Sequence, residues 1–552
     1  MDGTDGLNIA ETLRETAATR GDEPGVLVPD GYDRDGTPRH RSLTFGELNH
    51  LADRLAAGLV VGGLKPGQRL VLMVRPGIEF IALTYAIFRA GGVVVLIDPG
   101  MGPRHVFHCL DEVEPDGFVA IPMVHAVRTL QGRRFRSASL NVTVGRRWFW
   151  GGATYADLLA TDPTVVTLPT TAPRDPAAVI FTSGSTGPAK GVLYEHGMFA
   201  AQVRQIRDRY GIEPGGIDLP GFPLFGLFNA AMGVTTVIPD MNPSRPARID
   251  PRKVHAAVHA RDISQAFGSP AIWTRVAHWC EETDTTLPTL RRVLSAGAPI
   301  PPALLKSLLP RLAADAEIHT PYGATEALPV ASISAREVLA ETATATAQGA
   351  GTCVGLPFSG VEVRIIARTS TPIDDWSQVR ALPVGEIGEI VVKGAVVTRE
   401  YFRRPEATAL AKIPDGEGFW HRMGDVGYFD ERGRLWFCGR KSHVVETERG
   451  PLYTDCVEPI FQTHRTVSRA ALVGVGPAGR QTPVVWIEPR QPVATRDRRR
   501  LVDDLLELAS RYPTTRGIRE FRFRTTMPVD VRHNAKIRRE ELAIEASRLG
   551  IS

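Results

Sequence analysis

Residues 182–191 read TSGSTGPAKG, and within them Thr182, Ser183, Gly184, Ser185, Thr186, Gly187 and Lys190 concentrate hydroxyls, glycines and one amine. Glycine adopts positive φ at little steric cost, so successive backbone N–H groups in such a loop can converge on one anion. The hydroxyls and Lys190 add donors and charge, a combination suited to a polyphosphate. The loop is not a Walker A motif, because no Gly-Lys pair precedes a Ser or Thr. Taken alone, it reads equally well as a polar hairpin. Three further segments carry residues fit for related chemistry. HTPYGATE (319–326) sets Tyr322, Gly323, Ala324, Thr325 and Glu326 in one turn. MGDVGYFDERGRLWFCGRK (423–441) sets Asp425 in a glycine-bounded turn, then a hairpin, then Arg440. HNAKIRREEL (533–542) sets Lys536 just before a terminal helix. Singly, these residues read as a turn aspartate, a surface carboxylate and a solvated lysine.

The elements that must position them alternate through the first two-thirds of the chain. Strand-like runs RLVLMV (69–74), VVVLI (93–97), AAVIFT (177–182) and RRVLSAG (291–297) are separated by amphipathic segments such as FGELNHLADRLAAGLV. That alternation predicts layered α/β architecture with partly parallel sheets. The apolar run 78–97 has the length of a membrane span, but Glu79, Arg89 and the pair Gly91-Gly92 break it into a helix, a glycine stop and a buried strand. A small β-rich part is expected over about 355–438, and a separate α+β domain in the last hundred residues. The expected division is 1–438, a hinge at 439–443, and a mobile domain over 444–552 that carries Lys536. The basic run at 496–500 reads as a solvated linker, and AETATATAQGAG (340–351) as a mobile insertion.

A chain of 552 residues exceeds one compact core. Its 65 basic and 61 acidic residues nearly balance, which gives no reason to propose a nucleic-acid partner. Five scattered cysteines without a CxxC pair, and an N-terminus without an apolar signal core, point to reduced thiols and the cytoplasm. His255 and His259 stand four apart, but Ala256 replaces the glutamate of an HExxH zinc motif and no third ligand is evident.

In their order, these segments resemble the adenylate-forming superfamily of acyl-CoA synthetases, peptide-synthetase adenylation domains and luciferases. TSGSTGPAKG resembles its phosphate loop and YGATE its YGxTE signature. GEIVVKGAVVTREYFRRPEAT resembles GEIxVxGxxVxxGYxxxPEAT, and MGDVGYFDERGRLWFCGRKS resembles TGDxGxxDxxGxLxxxGRxK. The resemblance runs nearly end to end and implies ATP and Mg²⁺ as cofactors. It implies that the loop from Thr182 to Lys190 holds the β- and γ-phosphates. Glu326 would hold Mg²⁺ together with Thr182, and Thr325 would lie near the α-phosphate. Tyr322 would stack on adenine beside the turn of Gly297, Ala298 and Pro299, with Gly323 and Ala324 next to it. Asp425 would take the ribose hydroxyls, with Arg440 nearby. Ser442 would be the hinge, and Lys536 would neutralise charge between carboxylate and α-phosphate.

GFPLFGLFNAAMG (221–233) stands where the family places its acyl pocket. Phe222, Phe225 and Phe228 replace the aspartate that holds an amino group in peptide synthetases, and Gly226 stands where many acyl-CoA synthetases have histidine. With Gly268 and Ser269, these residues imply a long apolar acyl chain, although part of the run also reads as a core strand. The departures gather on the acceptor side: Ser442 at the hinge, GPLYTDCVEPIF (450–461) with its glutamate out of register, and NAKIRR at the end. They put an ordinary thiolation step in doubt. Within the superfamily the pattern is most similar to olefin β-lactone synthetases, which activate a 2-alkyl-3-hydroxy fatty acid whose own 3-hydroxyl displaces AMP. The alternatives are a long-chain fatty acyl-CoA or acyl-AMP ligase and, in another class, a non-catalytic nucleotide-binding protein. A reactive, apolar lactone implies direct transfer to a neighbouring enzyme of its pathway, in olefin biosynthesis.

Overall fold

The computed structural model describes residues 8–181, 189–222, 224–529 and 537–550. The loop positions from Thr182 to Gly187 and the terminal Lys536 therefore lie outside the described residues.

Two large sheets and the helices between them build most of the chain. Among the described residues the first sheet has seven strands, with Arg69–Met73 parallel to both Val93–Leu96 and Gly117–Ala120. Pro176–Phe181 extends it in parallel and then pairs antiparallel with the edge strand Gly191–Glu195, with Phe181 opposite Gly191. The apolar run 78–97 resolves into the helix Ile78–Arg89, Gly91 at φ +72° and the strand Val93–Leu96. Arg89 is tolerated inside this core because its guanidinium reaches Asp53 at 2.9 Å and the Asn49 side-chain oxygen at 2.7 Å. Among the described residues, no helix is long and apolar enough to cross a membrane.

Among the described residues the second sheet has fourteen strands. Its centre is parallel: Thr235–Val237, Ile217–Pro220, Gln265–Gly268, Arg292–Ser295 and Glu317–Ala324 lie side by side. At Ala327–Ser334 the direction turns antiparallel, and Ala331 opposite Pro357 joins this strand to Thr352–Pro357. The β-rich part expected over about 355–438 is the antiparallel wing of the same sheet. Helices Phe45–Val61, Ile78–Arg89 and His196–Tyr210 fill the space between the sheets. Leu55, Ile81 and Phe199 meet Leu72 and Val94 of one sheet and Leu294 and Val330 of the other in one core. Capping fixes where the first of these helices starts. Thr44 accepts from the Glu47 amide at 3.1 Å, and Glu47 accepts from the Thr44 amide at 2.8 Å.

The last part is a three-stranded sheet, Val467–Val475, Thr482–Pro489 and Glu520–Phe523, covered by Thr454–Gln462 and Thr495–Ser510. Two expectations fail nearby. The basic run at 496–500 belongs to the helix Thr495–Ser510, because its arginines sit on the solvated face while Leu501, Leu505 and Ala509 are buried. The stretch expected as a mobile insertion is helical through Ala343–Ala347, as its alanines favour. The chain passes from Leu435–Arg440 into the last part through one 3₁₀ turn, Lys441–His443, which contains Ser442.

Candidate active site

Asp425 and Arg440 are brought together by strand register. Gly418–Phe429 and Leu435–Arg440 pair antiparallel with Asp425 opposite Arg440. The intervening turn is fixed by Asp430, which accepts from the amides of Arg432 and Arg434 at 3.0 and 2.9 Å. Asp425 therefore lies on a strand, not in the glycine-bounded turn expected of it; the glycine before it, Gly424, supplies a local φ of +68°. Arg440 Nη1 stands 2.9 Å from Asp425 Oδ1, and the Tyr322 hydroxyl donates to Oδ2 at 2.6 Å. Burial pushes the Asp425 carboxyl up, against the opposing pull of Arg440 and Tyr322. Burial, and then Asp425 itself, pushes the Tyr322 hydroxyl up, so that group remains a donor. The result is a recessed carboxylate already held on two sides.

The YGATE segment is likewise not one turn. Tyr322 lies on the strand Glu317–Ala324, and Ala324 pairs with Ala327, which leaves Thr325 and Glu326 as a two-residue tip. A Cβ at Gly323 would lie 2.8 Å from the Ala327 carbonyl, so only glycine fits this close hairpin. The tip is tethered from three sides. The Tyr194 hydroxyl donates to the Thr325 carbonyl at 2.5 Å, and the Thr398 amide and hydroxyl donate to the Glu326 carbonyl at 2.9 and 3.0 Å. The Tyr401 hydroxyl donates to Glu326 Oε1 at 2.7 Å, and Lys190 Nζ sits 4.7 Å from the centre of the Tyr401 ring. Behind this layer the buried Lys412 amine donates to the Thr398 carbonyl. Burial lowers its pKa to about 7, partly offset by Glu326.

Sequence reasoning assigned no roles to Tyr194, Thr398, Tyr401 and Lys412. Tyr401 lay within a recognised segment; Lys412 had only the weak signal of one lysine in the apolar run ALAKI. Tyr401 uses one lone-pair site of the Glu326 carboxylate, and an ionised carboxylate has about four. Among the described residues no group of three or more His, Cys, Asp or Glu could hold a metal ion. One carboxylate near the Lys190 amine fits Mg²⁺, which keeps several waters and binds through few protein ligands together with phosphate oxygens.

The segment 221–233, expected to line an acyl pocket, is built differently. FGLFNAAM forms the helix Phe225–Met232, ended by Gly233 at φ +69°, and not the core strand that its apolar content also allowed. Phe225 stacks on Phe267 with centroids 3.9 Å apart, Phe222 lies 6.1 Å from Phe225, and Phe228 reaches Phe199 at 6.3 Å. Gly226 packs against the helix Ile78–Arg89, where an added Cβ would lie 3.3 Å from Ile81. Gly268 and Ser295 face each other at the ends of parallel strands, and Gly297, at φ +94°, turns the chain toward Ala298 and Pro299. Strand ends of a parallel sheet are the usual seat of a ligand. Away from both regions, His255 and His259 stack with centroids 4.2 Å apart, and His259 meets the Thr286 carbonyl at 3.3 Å.

The AMP-binding enzyme family matches residues 13–402. This chain belongs to that family. Relatives of this AMP-binding enzyme include the olefin beta-lactone synthetase of Xanthomonas campestris pv. campestris, 48% identical over 98% of this chain and 97% of that protein. The olefin beta-lactone synthetase of Stenotrophomonas maltophilia is 47% identical over 98% of each chain. Among solved structures, an amide bond synthetase from Marinactinospora thermotolerans superposes with a TM-score of 0.76 over 98% of this chain and 99% of that one. At 24% identity, that likeness establishes the shared fold.

Proposed function

We propose that this AMP-binding enzyme activates a 2-alkyl-3-hydroxy fatty acid with ATP and closes it to a β-lactone. The observation that carries this reading is the 48% identity to an olefin beta-lactone synthetase across 98% of the chain. The pairing of Asp425, Tyr322 and Arg440 beside the Glu326 tip supports it.

In the first step the carboxylate attacks the α-phosphorus of ATP, a P–O bond forms, and pyrophosphate leaves. Anion meets anion, so positive groups must be in place beforehand. Lys190 and Lys536 would supply them, with Thr325 near the α-phosphate and the loop of Thr182 to Gly187 around the outer phosphates. Mg²⁺ held by Glu326 and Thr182 would add charge neutralisation along the phosphate chain. Asp425 would accept from the ribose hydroxyls, with Arg440 and Tyr322 keeping it oriented. In the second step the 3-hydroxyl oxygen attacks the acyl carbon, its proton is lost, and AMP departs. Because the nucleophile is part of the substrate, the enzyme needs only to hold it near the carbonyl. The segment 439–443 would act as the hinge on which residues 444–552 bring Lys536 to the phosphates. The five buried, unpaired cysteines suit a reducing cytoplasm, and a reactive lactone suits hand-over to a neighbouring enzyme.

The test is a product assay by NMR with ATP, Mg²⁺ and a racemic 2-alkyl-3-hydroxy fatty acid, with and without CoA. A lactone formed without CoA is expected. An acyl-CoA formed only with CoA would overturn the reading.

A further inference from the structure

Three polar groups near the acyl wall have no partner among the described residues: Ser269 Oγ, Trp273 Nε1 and Ser295 Oγ. Trp273 and Ser295 are each only 2% exposed. A buried polar group left unpaired is costly, so three in one neighbourhood call for an explanation. Ser269 sharpens the point. It occupies the N-cap position of the helix Pro270–Thr283, yet its hydroxyl makes no capping bond. A serine there ordinarily accepts from an amide of the first helical turn, so this hydroxyl is held away from its usual use.

The three groups gather around one glycine. Gly268 is the registered parallel partner of Ser295, so a side chain at 268 would stand beside that of Ser295 on the same face. A Cβ on Gly268 would lie 2.7 Å from Trp273 Nε1, and Ser269 is the next residue. One residue earlier, Phe267 and Leu294 join the core shared with Phe228 and Phe199. The strand ends thus place apolar core side chains and unpaired polar groups one residue apart.

We infer that Trp273, Ser295 and Ser269 form the subsite that recognises the 3-hydroxyl of the acid, a reading that rests on the proposed function. The chemistry of the donors selects this group. All three are neutral, whereas the carboxylate belongs on the side of the lysines. A hydroxyl can accept from the indole N–H and donate to a serine oxygen in the same pose, which satisfies both protein groups. A site built to hydrogen-bond a substrate hydroxyl also penalises the analogue that lacks it, because its buried groups then stay unpaired.

The experiment compares a 2-alkyl-3-hydroxy fatty acid with the matched acid lacking the 3-hydroxyl. The readout is kcat/KM for ATP–pyrophosphate exchange, which reports adenylation alone. The wild-type enzyme is expected to favour the hydroxy acid. Trp273→Phe keeps a ring and removes the N–H; it should reduce that preference about tenfold to a hundredfold, and Ser295→Ala should act in the same direction. Equal losses for both acids in both variants would mean a structural role and overturn the subsite. So would an unchanged ratio, or a wild-type enzyme that does not discriminate. An enzyme that adenylates the hydroxy acid without ever forming a lactone would refute the proposed function, and the ratio would still decide the subsite.

Discussion

The proposed nucleotide side and the proposed acyl side of this AMP-binding enzyme solve opposite problems. On the nucleotide side, the polar groups are engaged within the protein: Asp425 with Tyr322 and Arg440, Glu326 with Tyr401, and Thr325 with Tyr194. On the acyl side, Trp273 and Ser295 are buried with no partner among the described residues, next to stacked aromatics. The difference follows from what each side must do. Groups that face a polyphosphate must be rigid before charge develops, so they are held by neighbours. Groups that choose among acids discriminate best when only the right ligand satisfies them.

Breaking the nucleotide side should cost most. Lys536→Ala is expected to lower pyrophosphate exchange about 10²–10³-fold, the usual loss when one preorganised charge is removed. Exchange that survives the change would remove Lys536 from the mechanism. Asp425→Ala takes the partner from Arg440 and the acceptor from Tyr322. ATP affinity by calorimetry should fall at least about tenfold, and Tyr322→Phe should cost less, about threefold to tenfold. An affinity unchanged in both variants would detach this pair from the nucleotide.

Lys412→Met tests the layer behind Glu326. It removes the donor to the Thr398 carbonyl, and Thr398 holds the Glu326 backbone. The Mg²⁺ concentration for half-maximal exchange should rise about tenfold, one lost charge-assisted bond, with partial rescue by Lys412→Arg. A uniform loss at every Mg²⁺ concentration would show that Lys412 serves packing alone.

The smallest effect on turnover should come from Asp218, beneath the acyl wall. Asn229 donates to it at 2.6 Å, yet burial pushes its carboxyl up to about 7. The folded protein therefore keeps a proton that the unfolded chain has released above about pH 4. Stability from this group is present below that pH and is lost as pH rises through about 7, at no more than about 1.4 kcal/mol per pH unit. Asp218→Asn should flatten that decline in urea titrations at pH 5 and pH 8. Equal wild-type-to-variant differences at the two pH values would show that Asp218 is ionised throughout.

Much of the proposed nucleotide side was legible in the sequence because its residues lie in compact, ordered segments. Asp425, Arg440, Tyr322 and Glu326 all stand in motifs that the sequence displays. Their local shapes were misjudged: Asp425 and Tyr322 sit on strands where turns were expected. Glycine next to an acidic or aromatic residue suggests a turn locally, while long-range pairing, such as Asp425 opposite Arg440, draws it into a sheet. Composition misled in the same way at 496–500, where arginines that look like a linker are the exposed face of a helix. Tyr401 and Lys412 were missed as partners of the Glu326 tip because each lies more than seventy positions away along the chain.

The sequence by itself determined the alternation that builds the layered sheets, the glycine stop inside the apolar run 78–97, and the ordered segments that mark an AMP-binding enzyme. These are local matters of periodicity, steric freedom and residue type, and neighbours in sequence suffice to express them. Only the tertiary structure decided that the β-rich part continues the large sheet, that Tyr401 holds Glu326, and that Trp273 and Ser295 meet at Gly268 without partners. Register between distant strands and the burial of a particular polar atom depend on which segments pack together, and no short stretch of chain contains that information.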